Sequence, residues 1–110
     1  MNQEQIEKLR DLHKSLVMVF DAEELSDCAD ELKDILENAK RDPKESKEVI
    51  ECLEKADAAI FEVLCEFDEY EIGGAFAAMV GNNSELRALF KKNVQFAVGQ
   101  ISEILRRNVQ

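Results

Sequence analysis

Tryptophan is missing from this chain, and histidine, tyrosine and proline occur once each. Even with six phenylalanines, aromatics make up only 6% of the residues, so few bulky anchors are on hand and a core must be built mainly from aliphatic side chains. No segment alternates apolar and polar residues as a strand does, and neither an internal repeat nor a low-complexity tract is present. No apolar run approaches the roughly 20 residues that a membrane-spanning helix needs. The opening MNQEQIEKLRDL has no basic region followed by an apolar one, so the expectation is a cytoplasmic protein without membrane attachment. Cys28, Cys52 and Cys65 are odd in number and lack CxxC spacing, which argues against a disulfide framework and against a zinc site. Each falls on an apolar helical stripe, where reduced thiols act as small core residues.

What the chain does contain is helical periodicity. Its 110 residues, 45% hydrophobic, suffice for one domain with a thin core, taken as 1–110. Ile6, Leu9, Leu12, Leu16 and Phe20 recur at three and four residues and predict a helix over about 3–20. Leu25, Cys28, Leu32, Ile35 and Ala39 predict a second over about 22–41, out of phase with the first by nearly half a turn. Asp21 with Glu24 gives a capping signal at that jump. Asp42 as N-cap, with Pro43 and Glu45 at the first and third helical positions, predicts a third helix over about 43–72. Its seam is Val49, Leu53, Ala56, Ile60, Val63, Phe67 and Tyr70, ended by Gly73 and Gly74. A short apolar element follows at about 75–80, and a last helix over about 84–108 carries Leu86, Phe90, Val94, Ala97, Ile101 and Leu105. The expected fold class is all-α, a four-helix bundle with one short extra element.

Charge is the most informative property. The net charge is −10, yet residues 1–20 are neutral, 21–42 carry −6, 43–72 carry −7, and 73–110 carry +3. A field concentrated on the two middle helices repels nucleic acid and anionic lipid and attracts basic partners. On the second helix Glu23, Asp27, Asp30, Asp34 and Glu37 recur at 4,3,4,3 and form an acidic ridge opposite the apolar stripe. Such a ridge is either a solvated face or a docking strip for a basic surface. One form of docking is imitation of nucleic-acid phosphates.

A second anomaly lies at the end of the third helix, where Glu66, Asp68, Glu69 and Glu71 crowd the negative pole of the helix dipole. Either Lys91 and Lys92 of the last helix offset them from beside Glu62 and Glu66, or they are kept for a partner. In the second case Asp68, Glu69, Tyr70, Glu71, Ile72, Phe76 and Met79 form the partner-binding corner, joining acids to apolar anchors.

Catalytic patterns are lacking. His13 stands three or four residues from Leu9, Leu16 and Val17 and reads as a boundary residue of the core. A histidine phosphotransfer bundle needs a basic residue and small neighbours one turn on, where this chain has Leu16 and Val17. No Glu-x-x-His pair, Gly-rich phosphate loop, nucleophile elbow or EF-hand loop is present, so neither a metal nor another cofactor is expected. The expected function is a non-enzymatic protein-interaction module: an adaptor, a chaperone or an antagonist whose partner has a basic surface. The alternative is an acidic inhibitor that imitates nucleic acid, and an enzyme or phosphotransfer bundle ranks third. The long seam of the third helix also allows a homodimer.

Overall fold

A computed structural model describes residues 1–19, 22–68 and 84–108, the side chains of Ala22, Phe67, Asp68 and Ser84 excepted. Its described residues form four helices: α1 Gln3–Met18, α2 Ala22–Arg41, α3 Lys47–Asp68 and α4 Ser84–Asn108. The expected element at about 75–80 and the Gly73–Gly74 stop lie outside the described residues.

The helix ends follow from local chemistry. Asn2 caps α1 by accepting from the Gln5 amide at 2.8 Å, and Val19, in extended conformation, ends the helix two residues short of the expected limit. α2 begins with Glu23 and Glu24 and ends with Lys40 and Arg41, each set at the pole of the helix dipole that favours it. α4 repeats the order with Glu85 first and Arg106 and Arg107 last, and Asn108 closes it by donating to the Ile104 carbonyl at 2.8 Å.

The start of α3 differs from expectation. Asp42 does not cap the helix: its carbonyl accepts from the Glu45 amide at 3.1 Å and its carboxylate from the Lys44 amide at 2.9 Å, which makes 42–45 a turn. Ser46 is the cap, its hydroxyl accepting from the Val49 amide at 3.3 Å, and the first helical bond runs from the Ile50 amide to the Ser46 carbonyl. Pro43 suits the second position of a turn as well as the first of a helix, since both want its fixed φ.

Each helix packs on two others, α1 on α2 and α4, and α3 on α2 and α4, so the four close a ring. Lys8 near the start of α1 reaches Asp34 near the end of α2, and Asn93 of α4 bonds Ala59 and Glu62 of α3, as antiparallel neighbours require. Leu9, Leu12, Leu16, Leu25, Leu32, Ile35, Leu53, Ile60, Ile101 and Ile104 fill the centre. Truncating any of these leucines or isoleucines to Ala would cost about 2–5 kcal/mol. The α3 seam is covered inside one chain from Val49 through Val63, so this stretch needs no second copy to shield it. At 25 residues against 16, α4 outruns α1.

Candidate functional site

Among the four interfaces of the ring, that between α1 and α2 is the sparsest. Two hollows lie in the groove between these helices. One, of about 220 Å³, is lined by Lys8, Asp11, Glu31, Asp34 and Ile35. The other, of about 510 Å³, is lined by Ser15, Met18, Glu24, Asp27, Cys28 and Glu31. Glu31 borders both.

The composition of this groove follows from helical periodicity. Glu24, Asp27, Glu31 and Asp34 are spaced 3,4,3 and run down the edge of α2 that faces α1. Asp11 adds a carboxylate from the opposite wall, and Lys8 is the one cation lining the two hollows. Lys8 sits 3.7 Å from Glu4 and 4.0 Å from Asp34, both solvent-exposed pairs that contribute little to stability. Apolar surface lies beneath and at one end: Ile35 is 1% exposed and Cys28 4%, whereas Met18 is 79% exposed. Burial, reinforced by Glu31, Asp27 and Glu24, pushes the Cys28 thiol up to about 11 from its usual 9.0. A thiol so shielded stays protonated and is a poor nucleophile at neutral pH.

The structure divides the expected ridge. All five residues are exposed, but Asp27 and Asp34 turn into the groove while Glu23, Asp30 and Glu37 line neither hollow. Glu23, Asp27, Asp30 and Glu37 form no ion pair among the described residues. Sequence reasoning missed Asp11, Met18, Glu24 and Glu31. The signal was a second 3,4,3 line parallel to the ridge and sharing two of its members.

The expected partner-binding corner, Asp68, Glu69, Tyr70, Glu71, Ile72, Phe76 and Met79, falls outside the described residues, apart from the backbone of Asp68 in the last turn of α3. Among the described residues Lys91 and Lys92 form no ion pair, with Glu62 and Glu66 included, and Glu62 accepts from Asn93 at 3.1 Å; the other acids of the expected compensation lie outside the described side chains.

His13 has a partner that its sequence neighbours do not show. Its Nε2 lies 2.8 Å from the Ser102 hydroxyl, tying α1 to α4, and it makes no other hydrogen bond among the described residues. A hydrolytic triad would add a third group that orients the ring. Among the described residues no three His, Cys, Asp or Glu side chains converge to hold a metal ion. No helix of the described residues is long and apolar enough to cross a membrane. Comparison of the chain with protein families, with characterised proteins and with solved structures finds no match.

Proposed function

We propose that this protein is a non-catalytic interaction module, an adaptor, chaperone or antagonist, that binds a basic surface of another protein through the α1–α2 side of the bundle. One observation carries the reading: the edge of α2 that meets α1 is lined by four carboxylates, and the cleft they border stands open with apolar side chains beneath. Carboxylates arranged along a cleft with low-dielectric walls focus their field outward, raising the rate at which a basic partner is captured. Met18, exposed at one end of the groove, supplies apolar contact that bare charge would not. A nucleic-acid mimic needs an unbroken carboxylate wall, and the apolar residues along this groove favour a protein partner instead. The three cysteines are unpaired, which fits the reducing conditions of the cytoplasm as the working compartment.

The test is recovery of partners from the native cell extract at rising salt, with the parent chain and a Glu31→Lys, Asp34→Lys variant side by side. The expected result is a protein retained at moderate salt by the parent and lost by the variant. Recovery of a nucleic-acid-binding protein, released entirely as salt rises, would support mimicry instead.

A further inference from the structure

Resting on the interaction reading above, we infer that the α1–α2 groove receives one basic amphipathic helix of a partner protein. In the docked pose this helix lies along α2. Lys or Arg side chains at its i, i+4 and i+7 positions stand opposite Asp27, Glu31 and Asp34, and a long apolar side chain rests against Met18.

Spacing is the first argument. Asp27, Glu31 and Asp34 span seven residues of α2, a rise of about 10.5 Å. Cations on a second helix at the same spacing share that rise and fall one to each carboxylate. Helix-in-groove recognition reads anchors at this period.

Backbone chemistry is the second. Both walls are helices whose amides and carbonyls bond within themselves over these residues. An extended peptide in the groove would therefore find no backbone partners, whereas a helix brings its own. Charge is the third. Asp11, Asp27, Glu31 and Asp34 line the two hollows with Lys8 as the one cation among the lining residues, so a cationic occupant neutralises a repulsion that an anionic or neutral one would leave. Met18 gives the fourth. A thioether exposed at one end of an acidic groove adapts to the shape of an incoming apolar side chain.

The test is a nuclear magnetic resonance titration of the full chain with two probes. One is a synthetic helical peptide of Lys and Leu whose cations and apolar residues occupy opposite faces. The other is an oligolysine of equal charge. The expected result is saturable one-to-one binding of the first, with the largest shifts at the Met18 methyl and the Glu31 amide. Glu31→Lys should weaken it about tenfold or more, and Asp30→Lys, an equal change of charge on the outward face, by less than about threefold. Met18→Asp should weaken the amphipathic peptide and leave oligolysine unchanged. Equal losses for Glu31→Lys and Asp30→Lys, or oligolysine binding as tightly as the amphipathic peptide, would overturn the groove assignment while leaving a basic partner in place. Failure of both probes to bind a chain that remains folded would remove the interaction reading as well. A doubled mass in light scattering, abolished by Glu31→Lys, would assign the groove to a second copy and overturn the inference.

Discussion

Asn93 and Glu62 are joined across the α3–α4 interface: the Asn93 amide donates to the Glu62 carboxylate at 3.1 Å and, through the same nitrogen, to the Ala59 carbonyl at 2.9 Å. Asn93 is the buried polar residue among the described positions, at 6% exposure. A buried amide that must meet two acceptors fixes the register of its helix pair. Asn93→Asp should lower stability by about 2–4 kcal/mol, because the carboxylate cannot donate and stands beside Glu62. Asn93→Leu should melt no lower than the parent yet give broadened amide spectra, since the apolar side chain restores packing without specifying the register. Thermal melts and amide spectra of the two variants check both outcomes.

The two residues at the entrance of α3 are separable by mutation. Ser46→Ala should cost about 1 kcal/mol, the usual loss for an N-cap. Asp42→Ala should cost about half that or less, because it removes a turn bond at an exposed site and no helix cap. Urea unfolding of both variants decides it: an Asp42 loss exceeding the Ser46 loss would return the cap to Asp42.

Asp57, half-buried on α3, has its carboxyl pushed above the usual range by burial, a shift that Lys33 and Lys40 only partly oppose. Its folded-state pKa therefore exceeds its unfolded one of 3.8. Any stability tied to this group is present in full below pH 3.8 and is lost as pH rises through the folded-state value. Asp57→Asn should accordingly raise the melting temperature at neutral pH by a few degrees and make little difference near pH 3. A lower melting temperature at neutral pH would show that attraction to the lysines outweighs desolvation.

The same reasoning applies to Cys28 at alkaline pH. A thiol held at about 11 in the folded chain, against 9.0 unfolded, favours folding below pH 9 and loses that contribution as pH climbs toward 11. Glu31→Gln should lower the thiol pKa by removing the largest of the nearby repulsions, though burial will keep it above 9. Ultraviolet titration of the thiolate, in a chain with Cys52→Ser and Cys65→Ser, reads the change directly. An unmoved pKa would mean that burial alone sets it.

The helices were legible because their signals are local. α2 begins and ends where its stripe and its terminal charges place it, and α4 likewise. The start of α3 was misread because Asp-Pro-Lys-Glu satisfies a turn as readily as a capped first turn. Only Ser46, whose hydroxyl meets the Val49 amide, separates the two. The groove was legible in half. Spacing along α2 offers two carboxylate lines that share Asp27 and Asp34, and choosing the line that borders a cleft requires knowing where α1 lies. The His13–Ser102 bond spans 89 residues of sequence, and no window on a helix could reveal it.

The sparse α1–α2 interface has a dynamic consequence. Protection of backbone amides against exchange with solvent rises with the packing that must be undone to expose them. Among the described residues the most extensive interface joins α3 to α4, while α1 is the shortest of the four helices and holds the two least extensive interfaces of the ring. Peeling α1 away is therefore the expected first sub-global opening, with the α3–α4 pair expected to exchange slowest, which amide hydrogen exchange would read directly. A helix docked in the groove would bridge α1 to α2, close off that opening and slow exchange along α1 far from any residue it touches.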